Sequence, residues 1–458
     1  MQLEDKFGAD WTCSDTATIS LWNAAMDSYL DFSGSPVGDV QSITDPEFLA
    51  GPAFCAAMKL LSGMDPSDPS ILRNLEDMQA ARTGGVEDGH ATAVDLLARG
   101  EPTAAAFAWD EVLTRRPNDI LAHKCSHETW FLVGNGAAMR ASTSTALQRL
   151  PSSAPCFAVV AAQHGFALEE TGDYAEAEGW DRIALDLAPR DCWALHCLAH
   201  VFESQNRHNE AMGLLEAKQP IWTKQNLLSA HIWWHLALRL IEMGEITAAM
   251  AIFDDTLAHT PASNQFRLTD GTSLLWRLEL HGVDVGDRWR LMADKWGKAA
   301  QTHQNAYLDL HSAFAFASCP DHAAVSLYFD SLEVAFEGAS SEQANTYAEV
   351  VLPLVDAIRV FPDDKSKAAR LIAPLLPELH RIGGSIVQRE IVERSFTSAL
   401  IATHQPEKVA RYLDPKIATH PNTPWILRDR AAASERMGDV AHATLLRRRA
   451  DAMFAGWS

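Results

Sequence analysis

Histidine stands out in this sequence by number and by spacing. The chain carries 18 of them, and four fall into two His-x-x-x-His pairs, His196/His200 and His231/His235. A spacing of four puts both imidazoles on one face of a helix, about one turn apart, where the two can chelate one ion. Several imidazoles joined by one or two carboxylates suit a divalent metal: zinc, iron, manganese or another borderline ion. With an open coordination position, such a centre activates water for hydrolysis. Three readings of these histidines stand side by side on the residues alone. They are a metal site, a metal-free pocket using imidazole as general acid and base, or rings that pack between helices with hydrogen-bonded nitrogens. No His-Glu-x-x-His core is present, so the zincin arrangement is absent. There is also no P-loop, no dinucleotide fingerprint, no G-x-S-x-G elbow and no kinase motif set, which disfavours nucleotide chemistry.

Other residues extend the candidate site. In an enzyme of hydrolase or lyase type, His200 and His235 act as metal ligands or general base. Asp309 orients His311, and Arg277 or Arg389 holds a substrate carboxylate. Lys124, His127, Glu128 and Trp234 are candidates for substrate contact. The Gly383-Gly384-Ser385-x-x-Gln388-Arg389 stretch offers backbone amides to an anion, but it reads better as a helix start. Ser385 and Gln388 make a capping box, with the glycines ending the preceding helix.

The elements that hold these residues follow from a recurring turn. Gly100-Glu101, Gly134-Asn135, Gly172-Asp173, Asn206-Arg207 and Gly244-Glu245 recur at intervals of 34, 38, 34 and 38 residues. Pro117, Pro189 and Pro261 keep time at 72 residues, and His404-Gln405 and Gly438-Asp439 repeat the 34-residue step near the C-terminus. This is the helix–turn–helix period of tetratricopeptide (TPR) repeats. The predicted fold is therefore all-α, an α-α superhelix of stacked helix pairs with almost no strand. Gly at the turn permits a positive φ, and Ala175 and Ala177 let the second helix of their unit approach the first. Residues 1–98 read as irregular N-terminal repeats and cap, 99–260 as the TPR core, and 261–458 as divergent C-terminal repeats and cap.

The repeat gives a register. With the turn Gly or Asn at unit position 15, His196, His200 and Glu203 fall at 5, 9 and 12. His231, Trp234 and His235 fall at 2, 5 and 6 of the next unit, and Lys124 and Glu128 at 5 and 9 of an earlier one. Positions 2, 5, 9 and 12 line the concave face of a TPR stack, so His200 and Trp234 are both expected to face it. The carboxylate clamp that TPR grooves use for acidic peptides needs a basic set here and does not find one. A peptide-binding scaffold is therefore the second reading of the groove, after a small-molecule site.

Composition narrows the partners. The 458 residues are 47% hydrophobic and 21% charged, with a formal net charge of −22. That charge argues against a nucleic-acid partner and against docking on an anionic membrane. Seven scattered cysteines without a C-x-x-C pair suit reduced, packed thiols, Cys192 and Cys197 among them. The N-terminus lacks a signal-peptide pattern, and a cytoplasmic location is the expectation. Irregular ends leave a homo-oligomer open as an arrangement.

Several stretches resemble the tetratricopeptide repeat protein 38 family. They are Lys124-x-Ser126-His127-Glu128, Trp193-x-x-His196-x-x-x-His200, His231-x-x-Trp234-His235, Asp270-x-x-Ser273-x-x-x-Arg277, Asp309-x-His311 and Gly383-Gly384-Ser385-x-x-Gln388-Arg389-Glu390. The resemblance runs from about residue 100 to 395. It implies a helical-repeat fold and no particular reaction.

Overall fold

The computed structural model describes residues 1–223, 228–299 and 301–454. A short antiparallel hairpin opens the chain, Gln2–Glu4 against Asp10–Thr12, with Leu3 opposite Trp11. All other regular structure among the described residues is helical. The fold is an α-α superhelix of TPR type.

The repeat turns have the backbone that their residues dictate. φ is 74° at Gly100, 67° at Gly134, 83° at Gly172, 58° at Asn206 and 84° at Gly244, and again 56° at His404 and 84° at Gly438. Each left-handed residue ends one helix and lets the next fold back on it. The two helices of a pair differ sharply in burial. The first helix of a unit, such as Cys192–Ser204, buries nearly every residue. The second, such as Tyr174–Leu187, buries only a narrow stripe of Ala177, Asp181 and Ala184. Ala177 makes the close approach that the sequence predicts, whereas Ala175 is exposed and does not. A fully buried first helix is one that meets protein on the concave side as well.

That concave side is crossed by distant segments. The Phe32 ring stacks on Trp193 at 6.1 Å, and the Tyr29 hydroxyl donates to Glu128 at 2.6 Å. The start of the Ile386–Ala402 helix reaches Glu170, whose carboxylate accepts the Ile386 amide at 2.8 Å. Thr302 donates to the carbonyl of Gly63. The N-terminal helices and the 386–402 helix thus pack over the inner helices along this stretch.

Gly134 carries one such approach. A Cβ there would lie 1.8 Å from the carbonyl oxygen of His380, on top of a φ that L-residues disfavour. Gly134→Ala is expected to destabilise the fold by roughly 2 kcal/mol or more, because the conflict is with backbone and not with a movable side chain. A urea titration compares the variant with Gly172→Ala. Position 172 has the same φ class, and a Cβ added there would meet nothing within 4 Å, so its loss should be smaller.

Candidate metal centre and adjoining cavity

His196 and His200 sit on the inner helix Cys192–Ser204. Pro189 ends the preceding helical run. The Asp191 carboxylate then caps the new helix, accepting from the amides of Trp193 (2.8 Å) and Ala194 (3.2 Å). His231 and His235 sit on the next inner helix, Ser229–Met243, which stops at left-handed Gly244. One repeat separates these helices, so the two histidine pairs face each other across the helix contact. Their Nε2 atoms follow in sequence: His200 to His196 at 3.0 Å, His196 to His235 at 3.2 Å, His235 to His231 at 3.2 Å. One ligand nitrogen from each ring lies within 4.8 Å of all the others. Metal–imidazole bonds of about 2.0–2.1 Å set the ligand nitrogens of a tetrahedral ion about 3.3–3.4 Å apart, so the three successive spacings come near those around one ion, with the other pairs bounded by 4.8 Å.

The far sides of the rings are held by carboxylates. His235 Nδ1 donates to Glu203 Oε2 at 2.8 Å, and His231 Nδ1 donates to Asp270 Oδ1 at 2.8 Å. Glu169 Oε2 stands 3.8 Å from His200 Nδ1, and Ser204 donates to its other oxygen at 2.6 Å. Glu203 also takes a guanidinium hydrogen bond from Arg239, which in turn meets His208 Nδ1 at 3.1 Å. A carboxylate only accepts, so the facing Nδ1 carries the hydrogen. In the neutral rings Nε2 then keeps its lone pair. Lone pairs of His231 and His235 therefore point at each other, an arrangement that a shared cation turns from repulsive to bonding.

Burial drives the electrostatics. It pushes His196 and His200 well below the ordinary imidazole value, and the neighbouring histidines push the same way. His235 is also lowered by burial, against the opposing pull of Glu203. Burial would raise Glu203, but Arg239 and His235 outweigh it and hold its carboxyl well below the usual range. Glu169 behaves oppositely: burial and the adjacent Glu170 raise it well above.

A cavity of about 360 Å³ adjoins this centre. It brings together Lys124, His127 and Glu128, three of the residues expected to contact substrate, with Phe32, Trp193 and Tyr307 among its walls. Trp193 forms the partition, its ring centroid 5.1 Å from that of His196.

Four expectations are corrected. Trp234 is fully buried against protein and is not open to a ligand. It stacks on His231 at 5.1 Å and 16°, with the Arg277 guanidinium 5.4 Å above it. Residues three apart share a helix face, so Trp234 lies beside His231, and it is the Arg277 side chain from the Gln265–Leu280 helix that covers it. Arg277 is committed between helices, donating to Ser273 Oγ and to the Val387 carbonyl (2.8 Å). Arg389 binds the Gly384 carbonyl and Glu170 (3.3 Å), so its charge serves the closure of the superhelix. Asp309 does not orient His311, because residues two apart on a helix point to different sides. Asp309 takes His303 Nδ1 at 2.8 Å and the Tyr347 hydroxyl at 2.5 Å, while His311 Nδ1 donates to the Tyr307 carbonyl at 2.8 Å. The Ser385 capping box is formed in both halves.

Sequence reasoning missed Glu169, Arg239 and the orienting roles of Glu203 and Asp270. A signal for Asp270 existed: it follows His231 by 39 residues, the same step that separates His196 from His235.

The class that fold and geometry define is a TPR-like helical repeat protein with a buried four-histidine cluster. No family model matches the sequence. Among solved structures, the human IFIT1 dimer with PPP-AAAA aligns at a TM-score of 0.42 and 13% identity, covering 97% of this chain and 96% of that one. An IFIT1 monomeric mutant with Gppp-AAAA gives 0.41 and 12%, covering 96% of each chain. The Naa15/Naa10 complex bound to HypK-THB gives 0.25 and 14%, covering 96% of this chain and 64% of that one. Likenesses at this level carry nothing about ligands.

Proposed function

We propose that the protein binds one divalent metal ion, such as zinc, through His196, His200, His231 and His235. We read it as a metal-assisted enzyme of hydrolase or lyase type acting on a small molecule. One observation carries this reading: four ring nitrogens converge while carboxylates hold the far nitrogens of two of the rings. Packed histidines also need hydrogen-bonded nitrogens, so what favours an ion is the approach of four Nε2 atoms to one another and not the carboxylate partners alone. With four imidazoles bound a tetrahedral ion has no open position, so it would act as a Lewis acid on a water only where that water entered as a fifth ligand. The chain's own contribution is orientation through Glu203 and Asp270, and a low-dielectric setting that strengthens charge interactions. His200 and His235 are then ligands first, leaving acid–base work to groups in the cavity. The resemblance to the tetratricopeptide repeat protein 38 family belongs to this reading, since its matching stretches contain all four histidines and Asp270.

The peptide-scaffold alternative has less support, because Phe32, Tyr29 and the 386–402 helix cross the concave side. A net charge of −22 supports a partner other than nucleic acid. No helix among the described residues is long and apolar enough to cross a membrane, which is compatible with a cytoplasmic enzyme.

Elemental analysis of tag-free protein tests the proposal. About one equivalent of a transition metal per chain is expected, removable by chelator and restorable with zinc. A stoichiometry near zero, with no rise in melting temperature on adding zinc, iron or manganese, would sink it.

A further inference from the structure

The cavity beside the histidine centre has a chemistry of its own. Its cation is already matched: Lys124 Nζ lies 3.1 Å from Glu128 Oε1, and Glu128 also accepts the Tyr29 hydroxyl at 2.6 Å. The Lys124 ammonium further rests over the rings of Tyr29, Phe32 and Trp193 at 5.3, 5.8 and 5.5 Å. This ion pair leaves the cavity with no net charge to offer a ligand. Most of the remaining wall is apolar, from Met58, Leu61, Phe131 and Phe266.

One polar group stands apart. His127 lines the cavity, is 3% exposed, and has no hydrogen-bond partner on either ring nitrogen. Both nitrogens are covered in this arrangement, and an imidazole left unpaired costs free energy that a group in the cavity would recover once the ring turns toward it. Its ring packs against Phe166 at 5.8 Å and Trp193 at 6.0 Å, which in turn contact His200 and His196. A molecule bonded to His127 therefore lies one aromatic layer from the candidate metal centre.

We infer that this cavity binds an uncharged, largely aromatic small molecule bearing a hydroxyl, whose O–H group pairs with His127. The cavity's 360 Å³ lies at the lower end of the range for small-molecule sites, roughly 300–1,000 Å³. Aromatic walls favour edge and face contacts with a ring. Burial and the nearby Lys124 charge hold the His127 imidazole well below its ordinary value, so it presents a lone pair to a hydroxyl hydrogen. A carboxylate ligand would lose its hydration and find Lys124 already paired with Glu128. The inference names the substrate class of the small-molecule reading above and rests on it.

The test uses the full chain and three probes that share a methylphenyl body: p-cresol, toluene and p-toluate. Calorimetry and ligand-observed NMR are run on chelator-treated protein and again with zinc added. Saturable binding of p-cresol is expected, with toluene about tenfold weaker and p-toluate weaker still. The His127→Leu variant should erase the preference for p-cresol over toluene while retaining toluene. Equal binding of p-cresol and toluene by the parent chain, tightest binding of p-toluate, or no saturable binding of any probe would each overturn the inference. These outcomes are read on the parent protein, so they hold even if the variant misfolds. Binding to metal-free protein separates the failure of the cavity from the failure of the metal centre.

Discussion

His235→Ala is expected to lower metal affinity by at least about a hundredfold, while His311→Ala leaves it unchanged. His235 is one of the two inner members of the imidazole sequence, 3.2 Å from both His196 and His231, so its loss would remove a proposed ligand and the link between the two helices' pairs. Structural zinc binding is worth roughly 10–16 kcal/mol, and a quarter of that is enough for a hundredfold effect. The truncation leaves Glu203 still paired with Arg239, so no charge is stranded and the fold should persist. His311 is equally buried but lies outside the cluster, bonded to the Tyr307 carbonyl, and controls for the loss of any core imidazole. Competition against a chromophoric chelator measures both. Glu203→Gln should fall between them, at about 10–100-fold, because it keeps the ring in place but weakens the polarisation of His235. Parent-like affinity in His235→Ala would remove the four-imidazole centre from consideration.

The turns are the most legible part of the sequence, because a left-handed residue at a fixed interval is a local requirement. Gly100, Gly134, Gly172, Asn206 and Gly244 satisfy it one residue at a time, without reference to anything distant. The pairing of His196/His200 with His231/His235 is legible for a related reason. Consecutive inner helices lie one repeat apart, so i,i+4 pairs at similar unit positions must meet. What escapes a reading of sequence is set by contacts across the superhelix. Arg389 reads as a free cation from its neighbours in sequence, yet its partner Glu170 lies 219 residues away. Trp234 has only its register to place it. The spacing puts it beside His231, but the Arg277 guanidinium that covers it comes from another helix, which a register cannot show. Asp309 and His311 are close in sequence but not in side-chain direction, and each finds its partner elsewhere. The cavity is half legible: Lys124, His127 and Glu128 share a helix, but Phe32 and Tyr307 complete it from far along the chain.

Those long-range contacts carry a second large effect, at Glu242. This residue ends the helix that holds His231 and His235, and it is 1% exposed. Arg394 donates to one oxygen at 2.6 Å and Arg428 to the other at 3.0 Å, tying in the Ile386–Ala402 and Pro424–Arg436 helices. Burial alone would raise its pKa, but Arg394, His281 and Arg428 outweigh that and hold it at about 2, against an ordinary 4.5. A carboxyl depressed in the folded state contributes stability that is fully present above the unfolded value. The contribution is lost as pH falls from about 4.5 through 2. At pH 7 it amounts to about 3 kcal/mol by that shift, in keeping with the roughly 3–5 kcal/mol cost of stranding buried partners. Glu242→Gln is therefore expected to lose about 3 kcal/mol at pH 7 in urea titrations, and the gap to the parent should narrow toward zero near pH 2. A gap that stayed constant across this range would mean that packing, and not charge, holds these helices. Metal added at pH 7 should recover part of the loss, because the ion binds only the folded arrangement of the helix that Glu242 anchors.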